Sequence, residues 1–386
     1  MSEENEIEVQ NLGVGSVLKE EWALLLSIGT TILFYLFGAG WVANLSNPIW
    51  FGFIFLWLFV VMLASAFAIV RHAESLATLL GEPYGTLVLT LSVIGVEVLM
   101  ISAVMLAGKD QPTIARDTMF SVVMALLGGM TGISLLLGGL KYQEQDYNLQ
   151  GANAYLALII PLAVIGLVLP NFTTTTEGPT LSPFQSIFTA VMSIGIYSIF
   201  LAVQTSRYRN FFVSPDQTDA PENEKYDPDL HGEHEVRSSP YHGVLLVFYI
   251  LPLVLLAKEF AVPLEYGIAK VNAPNVLSGF IVALLILAPE AMSAVKAALR
   301  NQLQRSVNIL LGSVLATIGL TVPAVLIIGL ITGKTVYLGL SSVNSILLVL
   351  LLGLSTITFS NVRTNALLGA VHMLLFFAFI MLMFQA

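Results

Sequence analysis

The sequence predicts an all-α integral membrane protein with about eleven transmembrane helices. Three observations predict it. Of 386 residues, 56% are hydrophobic and 11% are charged, against about 25% charged in soluble domains. The apolar residues gather into long runs without the polar–apolar alternation of a membrane β-strand. Two of these runs carry a glutamate in their interior: Glu97 in GTLVLTLSVIGVEVLMISAVMLAG and Glu290 in VLSGFIVALLILAPEAMSA. A carboxylate near the middle of a span costs roughly 2.5–3.5 kcal/mol or more, so it points to a use, here a cation or proton pathway.

A helix needs about 20 apolar residues to cross the hydrocarbon core. Eleven runs qualify, near residues 22–43, 49–70, 84–107, 117–140, 152–170, 182–204, 241–260, 275–298, 306–331, 336–358 and 364–384. Ahead of them, residues 1–21 form an acidic tail whose opening MSEENEIEVQNLG lacks the basic-then-apolar layout of a cleavable signal peptide. Residues 205–240 are the longest hydrophilic segment, with eight acidic residues, His231 and His234. This composition reads as a solvated tether dividing the spans six and five, with a cation-sensing linker as the rival reading. With the N-terminus in the cytoplasm, eleven Lys and Arg fall on inside segments and five on outside ones. That bias puts the 205–240 linker in the cytoplasm as well.

Setting aside 22–43 as an extra first helix leaves five spans in 49–204 and five in 241–386. An odd number per half makes the second half enter the membrane from the opposite side, so the halves are expected to be inverted repeats. Glu97 lies in the second span of its five, 16 residues after Gly81. Glu290 lies in the second span of its own, 16 after Pro274.

Equivalent helices of inverted repeats meet near the midplane, so the two carboxylates are expected to share one site. Ionised and empty, they repel each other and are poorly solvated. Protons relieve this, and so does a cation. Calcium takes six to eight oxygens, of which two carboxylates supply up to four. Competition of protons and a cation for the same oxygens, with no crossing of the empty site, is proton-coupled exchange. Pro289 removes a helical hydrogen bond just before Glu290, and Gly95 near Glu97 offers close approach to another helix. Both features predict interruptions in the third and eighth spans.

Other chemistries find no support. There is no cysteine, hence no disulfide or thiol site. The net charge of −9 provides no footprint for nucleic acid. Neither paired aspartates nor an H-E-x-x-H zinc helix is present for an intramembrane hydrolase. Internal symmetry argues for a site within one chain rather than a channel on an oligomer axis. No cofactor is expected, and the oligomeric state stays open. Asp117, Glu259 and His72 sit at span edges beside Arg116, Lys258 and Arg71, and read as interfacial. His372 reads as a hydrogen-bonded packing residue, and Gly128, Gly129 and Gly132 as close helix packing. Asn308, Thr317 and Thr321 read as aids to helix contact.

Four segments carry a resemblance to a known family. LATLLGEPYGTLVLTLSVIGVE (76–97) leads to the first glutamate, and SLLLGGLKYQEQDYN (134–148) contains a GG-x-K-x-x-x-Q-x-x-N pattern. LLILAPEAMSAVKAALRNQLQRSVNILLGSVLATIGLTVPAV (284–325) holds Glu290, Asn301, the Gly312-Ser313 pair and Pro323, and RTNALLGAVH (363–372) enters the last span. These resemble the calcium/proton exchangers of the calcium/cation antiporter superfamily, and most of all the bacterial ChaA-type branch. The resemblance implies a sodium/calcium-exchanger-like fold of one extra helix plus two inverted five-helix repeats in a bacterial inner membrane. It implies that Glu97 and Glu290 bind the transported cation, with Ser313 and Ser121 as helper oxygens. The chain departs from the wider family at Ile94-Gly95-Val96 and Ala288-Pro289, where that family has Gly-Asn-Ala, and at Ala316, where it has glutamine. Export of calcium in exchange for protons is the expected activity, with sodium or potassium as the alternative cargo, and the lipid bilayer, the cation and protons are the expected partners.

Overall fold

The computed structural model describes residues 19–81, 84–107, 112–215 and 237–385. Most of the acidic tail and the centre of the linker, with His231 and His234, lie outside the described residues. Among the described residues, eleven apolar helices follow one another: α1 (Trp22–Ala43), α2 (Pro48–Leu80), α3 (Tyr84–Ala107), α4 (Ile114–Tyr142), α5 (Leu149–Asn171), α6 (Pro183–Thr205), α7 (Ser239–Lys270), α8 (Val276–Leu299), α9 (Leu303–Thr332), α10 (Ser342–Thr358) and α11 (Ala366–Gln385). Ten are long enough to cross a membrane, and α10 is shorter. The fold class is that expected: an all-α membrane protein with one extra helix and two inverted five-helix repeats.

Local chemistry sets the helix ends. Asn47 caps α2, its Oδ1 accepting from the backbone of Ile49 and Trp50. Ser182 and Gln185 form a capping box at α6. Nothing between Arg71 and Leu80 breaks α2, which runs 33 residues, or about 50 Å, until Gly81 turns the chain at φ 61°. The helix therefore overruns the predicted 49–70 span, and His72, at the end of that run, is buried within the protein.

The repeats show in the packing. Helices α2 and α7, first in each half, lie against each other, and each also packs on the second helix of the opposite half: α2 on α8, α7 on α3. The C-terminal part of α4 packs on α11, and that of α9 on α6, so each half's third helix meets the last helix of the other. Here α4 and α9 are the most buried spans. Glycines permit the approach, as expected for Gly132. A Cβ on Gly132 would meet the Met373 backbone nitrogen at 2.9 Å, and one on Gly369 the Leu136 nitrogen at 2.4 Å.

Two expectations are corrected. Helices α3 and α8 are continuous. A single Pro inside a packed membrane helix is tolerated, and a Cβ on Gly95 would meet nothing within 4 Å. Among the described residues, π-helical turns lie instead at Met124–Met130 in α4 and Thr317–Thr321 in α9, the third helix of each repeat, and at Val164–Val168 in α5.

Short strands β1 (Glu144–Asp146) and β2 (Arg363–Asn365) pair antiparallel just beyond α4 and before α11. Gln145 in β1 reaches the carbonyl of Ala298 at 2.9 Å and Oδ1 of Asn301 at 3.0 Å. Gly138 leaves it room. The glycine–glutamine pattern of 138–148 thus ties the end of α4 to the end of α8.

Candidate cation site

The two glutamates stand on the second helix of each repeat and meet on a single helix, α9. The Ser313 hydroxyl donates to Glu290 Oε2 at 2.5 Å. The Thr317 hydroxyl donates to Glu97 Oε2 at 2.8 Å. These donors are four residues apart, hence on one face and about 6 Å apart along the axis. Thr317 opens the π-helical turn, which sets its register against α3. The Glu97–Thr317 bond crosses from one repeat to the other, whereas Glu290–Ser313 lies within the second.

Polar capacity is left over beside Glu97. Its Oε1 is buried with no hydrogen-bond partner, as is the Thr321 hydroxyl one further turn along α9. Glu290 lies close enough for the two carboxylates to interact, and the Thr321 hydroxyl lies near Glu97 without forming a hydrogen bond of ordinary geometry. Unpaired buried oxygens are costly unless something fills them. Ser121, on α4, is buried with its hydroxyl unpartnered, so it bonds neither glutamate.

A cavity of about 230 Å³ reaches the Glu290–Ser313 pair. Ser293, Asn308, Gln204, Tyr155 and Tyr197 line it together with a third acid, Glu74, from the overrun of α2. Glu97 is not among its lining residues and is 1% exposed, so one carboxylate faces the cavity while the other is sealed. The lining residues lie toward the ends of α5, α6, α8 and α9 that meet the 205–212 segment, where Asn148 bonds the Asn210 carbonyl and Asn308 that of Phe212. The cavity therefore opens on the linker face.

The opposite face is closed. Lys334 Nζ donates to the Met105 carbonyl at 3.0 Å, Tyr337 N to that of Pro112 at 2.9 Å, and Arg116 Nη1 to that of Gly339 at 3.0 Å. Arg116 also pairs with Asp117 at 2.8 Å. Asp117, expected at the interface, is 1% exposed. Gly279 lets α8 down onto its backbone, where a Cβ would lie 2.7 Å away. His372 bonds Thr358 and the Leu127 carbonyl, the packing role expected of it.

Sequence reasoning passed over two site residues. Thr317 stands one turn after Ser313, but nothing in the sequence sets it apart from other small polar residues of the span. Glu74 was legible from the absence of any helix breaker before Gly81.

Two five-helix halves packed symmetrically, each bringing one glutamate against α9, make an architecture of the kind built by secondary transporters. The chain belongs to the sodium/calcium exchanger protein family, whose model matches residues 50–206 and 242–385. It is 42% identical over 323 residues to the sodium-potassium/proton antiporter ChaA of Escherichia coli (strain K12), covering 84% of this chain and 86% of that one. A Ca(2+)/H(+) antiporter of Synechocystis is 26% identical over 236 residues, covering 57% of this chain and 63% of that one. Among solved structures, native YfkE superposes with TM-score 0.69 at 18% identity over 94% of this chain and all of that one. The H+/Ca2+ exchanger CAX gives 0.65 at 16% identity, over 94% and 88%.

Proposed function

We propose that this chain is a cation/proton antiporter, and that Glu97 and Glu290 are the shared seat of cation and protons. The observation that carries the reading is the convergence of both carboxylates, one per repeat, on adjacent turns of α9. Each carboxylate holds a proton or contributes oxygen to the cation. Ser313 and Thr317 donate to the carboxylates and still offer lone pairs to a cation. Glu74, on the cavity wall, draws cations toward the opening without being part of the seat. Ser121 remains a candidate helper oxygen if the far-side opening turns α4 toward the site.

With the N-terminus and linker in the cytoplasm, the cavity opens inward, and protons entering from outside drive export of the cation. Two carboxylates favour calcium. Sodium or potassium is the second reading. It is favoured by the name of the Escherichia coli relative and by the single bonded hydroxyl at each carboxylate. The protein resides in the bacterial inner membrane. The test is purified protein in vesicles carrying a pH dye. Calcium, sodium and potassium are added outside in turn, and at least one should drive a proton flux. A lumen pH that stays fixed with all three would rule out the proposal.

A further inference from the structure

On the linker face, apart from the cation site, a buried cluster joins three helices. Glu21 at the head of α1 accepts from Arg71 at 2.7 Å and from Tyr249 at 2.8 Å through Oε2, and from Tyr241 at 3.0 Å through Oε1. His72 Nε2 lies 3.3 Å from the same Oε2. His72 Nδ1 lies 2.9 Å from Nδ1 of His242 on α7, and His242 Nε2 accepts from the Arg237 backbone N–H at 3.1 Å. Arg237 in turn pairs with Glu20 at 2.8 Å. His72, His242 and Glu21 are all buried.

These contacts admit one protonation pattern. A backbone N–H only donates, so His242 Nε2 must be bare and the ring's proton sits on Nδ1. That proton is donated to His72 Nδ1, which must also be bare. The proton of His72 is then on Nε2, directed at Glu21. Arg71 also lies 3.3 Å from this nitrogen, but its donor is committed to Glu21 at the shorter distance. Both rings are therefore neutral, and the charges of Glu20, Glu21, Arg71 and Arg237 balance. One more proton on either imidazole sets two donors face to face, at the 2.9 Å ring–ring contact or at the 3.1 Å backbone contact. It also adds a positive charge to a buried cluster whose described charges otherwise balance.

We propose that the His72–His242 pair is a proton-operated clasp, closed when both rings are neutral and opened by acid on the linker face. The clasp joins α2 to α7, the first helices of the two repeats. Two residues beyond His72, the same helix presents Glu74 to the cation cavity. Acidification thus loosens the α2–α7 contact that holds the cavity wall in its open form. Among the described residues, the titratable and charged groups facing the pair are Glu20 and Glu21 ahead of α1, Arg71 on α2, and Arg237, Tyr241 and Tyr249 on the α7 side. The clasp works whichever cation is carried.

The chain has no cysteine, so a single Leu89→Cys on the cavity wall reports its accessibility, and Thr174→Cys in an exposed loop corrects for thiol ionisation. As the pH is lowered from about 8 to about 4, corrected labelling of Leu89→Cys should fall. The expected fall is about fivefold, the shift given by losing one hydrogen bond of about 1 kcal/mol. His242→Gln and His72→Asn, which cannot take up a proton, should each abolish the pH response. Tyr249→Phe, which disturbs the cluster but keeps both imidazoles, should retain it. The reading is overturned if the parent shows no pH response, if the response is unchanged in a folded imidazole variant, or if Tyr249→Phe abolishes it too. Labelling reads the clasp without transport, so its failure is separate from failure of antiport.

Discussion

Replacing Thr317 with valine removes one oxygen from the Glu97 side of the site while keeping the side chain's shape. In the structure that hydroxyl donates to Glu97 at 2.8 Å and is fully buried, so water cannot take its place. In the cation-loaded form Glu97 is ionised, and a hydrogen bond to a charged group is worth about 1.5–3 kcal/mol. In the proton-loaded form the bond is neutral and worth about 0.5–1.5 kcal/mol. The difference, about 1–1.5 kcal/mol, falls on the cation-loaded form and raises the half-saturating cation concentration about five- to tenfold. Ser313→Ala should do the same from the Glu290 side. Proton flux in vesicles against cation concentration at fixed pH measures both, and Thr317→Ser should restore the parent value. An unchanged half-saturating concentration in folded Thr317→Val would refute the assignment of Thr317 to the site.

Three further predictions rest on other parts of the fold. Gly369→Ala drives a methyl into the backbone of α4, 2.4 Å from the Leu136 nitrogen, and should lower the melting temperature in detergent by several degrees. Arg116→Gln leaves Asp117 buried without its partner, which costs about 3–5 kcal/mol; adding Asp117→Asn should recover most of the lost thermal stability. Burial pushes the Glu21 carboxyl up, but bonds from His72 and Tyr249 and the charge of Arg71 outweigh it and hold Glu21 at about 2. A carboxyl held low stabilises the fold above its ordinary value and loses that contribution as pH falls from about 4.5 to about 2. Melting temperatures across that window should fall less steeply in Glu21→Gln than in the parent.

The membrane class, the spans and the two glutamates were legible because each is written in hydropathy, which needs no tertiary information. The inverted arrangement was legible from counting spans. The pairing of hydroxyls with carboxylates was legible only in part. Ser313 came through the resemblance, but Thr317 looked like any small polar residue in a span. What distinguishes it is the π-helical turn that opens at it, and neither composition nor spacing announces such a turn. Pro289 and Gly95 misdirected the search for interruptions because a proline or glycine marks where a helix can bend, not where it does. The burial of His72 and the place of Glu74 on the cavity wall were missed for a common reason. Helix α2 outlasts its apolar run by a further ten residues to Leu80, so hydropathy ended the span before the helix ended.

The claim that Glu97 and Glu290 together seat the exchanged ions is tested most directly by neutralising each in turn. Parent, Glu97→Gln and Glu290→Gln are reconstituted in vesicles, and proton movement is followed when calcium, sodium or potassium is applied. The parent should exchange at least one of these cations for protons, and both variants should fall to the rate of empty vesicles. Exchange at the parent rate in both variants would contradict the account.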